Sequence, residues 1–162
     1  MKQFLLITIM AIFNSCDKNI QESPCCINID VTFSLRIKNM AGEDLLNPST
    51  TGYYNHSNIN HYLITDGVKK ILTTGNSLIS NPEPNAGILD YRIFVVELGE
   101  KIEETPYPVY KSFLELNSNT IDTIKVETLE ENNNQSLRKI WYNGKLIWEV
   151  GGNNNLPLTI IK

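Results

Sequence analysis

The chain has 162 residues, of which 41% are hydrophobic and 20% charged, and its formal charge is −4. That length suits one domain with a sizeable core, and the composition excludes a chain that is disordered or membrane-spanning throughout. Binding to a phosphate backbone requires clustered Lys and Arg; this mildly acidic sequence has no such cluster, so no nucleic-acid partner is expected.

Residues 1–15 carry Lys2, an apolar run from Phe4 to Phe13, and then Asn14-Ser15 before Cys16. An apolar core of about ten residues is half of what a spanning helix needs, so this is read as a secretory signal peptide. Phe13-Asn14-Ser15-Cys16 resembles a bacterial lipobox in which Ser15 fits, while Phe and Asn replace the usual Leu and small residue. The resemblance implies that Cys16 is acylated, becomes the new N-terminus and holds the protein on a membrane through palmitate-type chains. The alternative is a plain secreted protein. Residues 16–26 are then lipidated cysteine and polar tether, ending in Cys25-Cys26, whose Cα atoms are too close for an unstrained disulfide. No second cysteine pair accompanies them, so neither a metal nor a redox site is assigned.

From residue 27 to residue 162 the pattern is that of a single all-β domain. Residues 27–38 alternate without a break, with Ile27, Ile29, Val31, Phe33, Leu35 and Ile37 apolar and the residues between them polar. That is a half-buried strand. A long loop over 39–58 follows, with Leu45 and Leu46 apolar and the adjacent pair Tyr53-Tyr54. Residues 59–65 and 68–73 make a hairpin about Asp66-Gly67, and the prolines within 75–87 require loop. Residues 88–98 read as a long, covered strand with apolar residues on both faces. Residues 109–116 and 121–128 pair across Asn117-Ser118-Asn119, and 137–142 and 145–150 pair across Asn143-Gly144. A last strand over 156–161 is a candidate for donation to a neighbouring copy, although Pro157 and the full complement of strands argue against it.

About nine strands, with no amphipathic helix and frequent turns, predict an antiparallel β-sandwich, immunoglobulin-like or transthyretin-like, or else a small barrel. No catalytic set is legible. His56 and His61 are five residues apart, an odd spacing that puts them on opposite faces of a regular strand, and Gly-x-Ser-x-Gly is absent. The carboxylates Asp90, Glu97, Glu103 and Glu104 read as solvated surface. No cofactor is called for, and the protein is expected not to be an enzyme.

A simple two-residue turn at Asn143-Gly144 sets Trp141 opposite Leu146 and Lys139 opposite Trp148, so Trp141, Leu146 and Trp148 share one face. If that face is outside, Trp141 and Trp148 form an aromatic platform for a sugar ring or a protein, with Tyr53 and Tyr54 as a second aromatic pair. If it is inside, the two tryptophans are core. The leader, Cys16, the Asp44-Leu45-Leu46-Asn47-Pro48 loop and Ile140-Trp141-Tyr142-Asn143-Gly144-Lys145-Leu146 together resemble the small uncharacterised lipoproteins of the Bacteroidota. The resemblance implies an exported, lipid-tethered β-sandwich in the cell envelope, in the outer membrane and facing periplasm or surface, and it transfers no catalytic residue. The expected partners are the membrane, through the lipid, and an envelope protein or a glycan.

Overall fold

A computed structural model describes residues 29–80, 89–131, 134–152 and 156–162. The leader, Cys16, Cys25-Cys26 and the Asn-Pro-Glu-Pro-Asn loop lie outside the described residues. Alternation of buried and exposed side chains builds two sheets that face each other. The larger joins β1 (Ile29–Asp30), β3 (Asn60–Thr65), β4 (Val68–Thr74), β7 (Glu100–Glu103), β8 (Val109–Asn117), β9 (Thr120–Glu131), β10 (Asn134–Tyr142) and β11 (Lys145–Glu149). Its order is β1-β10-β9-β8-β3-β4, with β11 also on β10 and β7 also on β8. The smaller runs β12 (Leu158–Ile161), β2 (Phe33–Lys38), β6 (Arg92–Val95), β5 (Ile79–Ser80).

The core lies between the sheets. Leu35, Ile37, Ile93 and Val95 come from the small sheet and Leu114, Leu116, Ile124, Val126 and Ile140 from the large one, all buried, with Leu46, Ile59 and Leu78 supplied by the connections. Two packed sheets of mainly antiparallel strands are a β-sandwich, as the sequence pattern predicts. Both hairpin turns also form as predicted: Asp66 and Gly67 have φ of 52° and 76°, and Asn143 and Gly144 have 48° and 79°, the pair of positive values that a primed turn requires.

Several expectations are corrected. The alternating stretch 27–38 is not one strand. It breaks at Val31-Thr32, and β1 joins the large sheet, parallel to β10, while β2 joins the small one. Period two reports which side chains are buried, and it stays in phase across the break because Val31 is buried and Thr32 exposed. Residues 75–80, read as loop, form a four-residue helical turn, Gly75–Leu78, and β5. The predicted strand 88–98 shortens to β6, with Leu89 and Val96 exposed. β12 is not free for donation, since it pairs in parallel with β2 of its own chain from Leu158↔Leu35 to Ile161↔Lys38. The short β5 and β7 were not predicted, and together with the split of 27–38 into β1 and β2 they raise the count to twelve strands among the described residues.

Candidate functional site

Of the register shifts in the large sheet, the two in β10 and its partners decide where the tryptophans point and where Glu127 is held. In the β10–β11 pair Trp141 faces Leu146, but Ile140 faces Trp148, so Ile147 is an extra residue. One extra residue reverses the alternation beyond it. Trp148 therefore stands on the same side as fully buried Ile140, and both Ile147 and Trp148 pack on the core. Trp141 stays on the opposite, outer side. The shared face expected for the two tryptophans does not exist, because it assumed an unbulged hairpin. The second bulge lies between Leu137, opposite Thr128, and Lys139, opposite Glu127. It leaves Arg138 and Lys139 both beside Glu127, at 3.3 and 3.7 Å.

Tyr53 and Tyr54 are also separated. Tyr53 is exposed, while Tyr54 packs on the core, and burial raises its hydroxyl pKa. Adjacent residues in extended chain point opposite ways, so an adjacent pair makes no platform there.

On the outer face, Trp141 lies opposite Lys125, and Lys125 opposite Lys111, in a single row across β10, β9 and β8. The next row holds Phe113 and Tyr62, stacked with ring centroids 5.3 Å apart. Lys69 Nζ sits 4.1 Å from the Tyr62 ring centre and Lys111 Nζ 5.0 Å from that of Phe113. The carboxylates around the row are partly engaged: Glu115 accepts from Lys69 and Asn60, and Glu127 is shared by Arg138 and Lys139. Beside Trp141 a concavity of 260 Å³ is lined by Glu103, Val109, Lys125, Glu127, Trp141 and Gly144. Arg138 lies over the Tyr107 ring, 3.7 Å from its centre, and fixes the loop before β8 at this side of the sheet.

The hairpin that carries Trp141 is held from below. Asn143 Oδ1 accepts from the Thr123 amide and Asn143 Nδ2 donates to Asp122, which ties the turn to β9. Asp122, almost fully buried on the inner face, also accepts from Tyr142 Oη and from Lys162 Nζ at 2.6 Å each. Burial pushes the Asp122 pKa up, but these three donors outweigh it and hold the carboxyl below its usual range. Burial and the neighbouring carboxylate raise the Tyr142 hydroxyl pKa far above normal.

Asp90, Asp44 and His56 are likewise committed to structure. Asp90 accepts from Arg36 and Arg92, which hold its pKa down to about 2. Asp44 accepts from the Leu46 and Tyr91 amides, so a cleft of 680 Å³ beside it, lined by Arg36, Lys38, Asp44, Asn47, Thr50 and Asp90 among others, has the acidic groups in its wall bonded within the protein. His56 Nε2 bonds the Leu46 carbonyl at 2.5 Å and the ring lies tilted against Tyr91. His61, in contrast, is fully buried opposite Leu114, with neither ring nitrogen hydrogen-bonded among the described residues. The two histidines thus sit in unlike places, one bracing a loop and one inside the core.

Sequence reasoning missed Lys111, Phe113, Tyr62 and Lys125. The available signal was the outward set of each strand, Lys111-x-Phe113-x-Glu115 and Thr123-x-Lys125-x-Glu127, aligned through the tight Asn117–Thr120 connection. Comparison with known proteins gives no match: no protein-family model fits the chain, and no curated protein and no solved structure matches it.

Proposed function

We propose that this chain is an exported lipoprotein, anchored in the cell envelope through Cys16, whose β-sandwich binds a partner rather than catalysing a reaction. The leader and Cys16 support the anchor. The binding role is carried by one observation, an aromatic and cationic row on an outer sheet face, with Trp141 walling a concavity beside Lys125. The commitment of Asp44, Asp90, Asp122 and His56 to hydrogen bonds within the protein favours binding over catalysis. Within this reading a glycan is favoured over a protein partner, because an indole beside acceptors and an ammonium offers both the stacking surface and the polar groups that a sugar ring requires.

Expression of the full chain in an outer-membrane bacterium fed labelled palmitate tests the anchor. Label should enter the protein, and the protein should sediment with membranes. Both should be lost in Cys16→Ser. Unlabelled protein in the soluble fraction would refute the anchor.

A further inference from the structure

We infer that the outer face of the large sheet takes an acidic polysaccharide, with one pyranose ring on Trp141 and the carboxylate of a uronic acid unit against the Lys125 and Lys111 ammonium groups; this rests on the glycan reading above. Trp141, Lys125 and Lys111 occupy successive strands at one register position, each about 4.8 Å from the next. Like charges set directly opposite one another repel. Among the described residues neither lysine has an ion-pair partner: Glu127 is held by Arg138 and Lys139, Glu115 by Lys69, and Glu100, across from Lys111 in the register, makes no ion pair with it. An anion laid across the row removes that repulsion and gains two charge-assisted contacts.

The chemistry beside the lysines selects the kind of anion. Trp141 stands beside Lys125 in the row, with Leu146 beyond it on β11, while the Phe113 and Tyr62 rings next to the row are covered by Lys111 and Lys69. One indole beside two ammonium groups matches a polymer whose units each present a C–H face and a carboxylate. An acidic peptide in extended form would seek a strand edge, where unpaired main-chain groups are offered, and β8, β9 and β10 are interior strands at this row. The 260 Å³ concavity beside Trp141 gives a ring a place to sit, with Glu103 and Glu127 oxygens as acceptors for its hydroxyls.

The test uses the full chain in detergent micelles carrying Trp148→Phe, so that Trp141 is the only tryptophan, titrated with hexagalacturonate. The emission of Trp141 should change saturably, binding should weaken at least tenfold in Lys111→Gln/Lys125→Gln and fall with added salt, and maltohexaose should give no response. Calorimetry on the unsubstituted chain reads the same binding if Trp148→Phe fails to fold. No response to hexagalacturonate, equal binding of polyglutamate, or affinity unchanged in the double variant would overturn the inference. Binding of maltohexaose alone would overturn it while leaving the glycan reading standing, and palmitate labelling at Cys16 is independent of both.

Discussion

At the residue scale, His61 is the least satisfied group in the core. Burial lowers its pKa from 6.5 to about 4, so folding requires the neutral ring. Between those two values the unfolded chain binds more protons than the folded one, and stability rises with pH. Acidification from pH 7 to pH 4 should therefore remove about 3 kcal/mol through this residue alone. Denaturant titrations across that range should show the loss, and His61→Leu should flatten it without lowering stability at pH 7. The same logic applies to Ser112, whose buried hydroxyl has no partner among the described residues: Ser112→Ala should leave the midpoint unchanged or raise it. Gly99 is constrained in the opposite sense. Its φ is +98°, and a Cβ there would lie 2.8 Å from the Ser112 Cβ and run into the Lys111 carbonyl, so Gly99→Ala should cost about 3 kcal/mol or more in thermal or chemical unfolding. None of these three was legible in the sequence. A histidine in an alternating strand reads alike whether it is paired or orphaned, and a glycine between strands reads as a turn.

At the scale of elements, turn chemistry and alternation carried most of the information. Asp66-Gly67 and Asn143-Gly144 fixed two hairpins, and buried positions from Val109 to Thr128 follow the apolar alternation. Bulges were invisible, because an extra residue changes the register without changing composition, and the one in β11 moved Trp148 from the expected aromatic face to the core side. Sheet membership was equally hidden where β1 and β2 part company. The exposed edge at β4 places Lys69 and Lys70 between Val68 and Ile71, charges that discourage pairing with another chain. The small sheet is fastened to the large one by the part-buried Lys162–Asp122 pair, joined by Tyr142 and Asn143. Lys162→Ala leaves Asp122 buried without its cation and should destabilise the sandwich by about 3 kcal/mol. Because the Asp122 pKa is depressed in the fold, its stabilising contribution is present above the ordinary carboxylate range and is lost as pH falls through the depressed value. In Lys162→Ala the depression is smaller, so the acid-dependent loss should shrink, which unfolding curves at acidic pH would reveal.

At the scale of the whole molecule, the sandwich presents the proposed binding site on one outer face of its large sheet. The sequence made the fold class readable because nearly every strand has an apolar side facing the other sheet. It left the site unreadable because the row Trp141–Lys125–Lys111 exists only after β8, β9 and β10 pair in register. Neither expected arrangement of the tryptophans, a shared outer face or a shared core, is found: Trp141 is outside and Trp148 packs on the core, while Tyr53 is exposed in its loop and Tyr54 turns inward.

The division of the two tryptophans between faces is the claim on which the rest depends. Acrylamide quenching of the full chain in its Trp148→Phe and Trp141→Phe forms reads each indole separately. Red-shifted, readily quenched emission is expected from Trp141 and bluer, better protected emission from Trp148. Equal protection of the two, or a Trp141 more shielded than Trp148, would contradict that division.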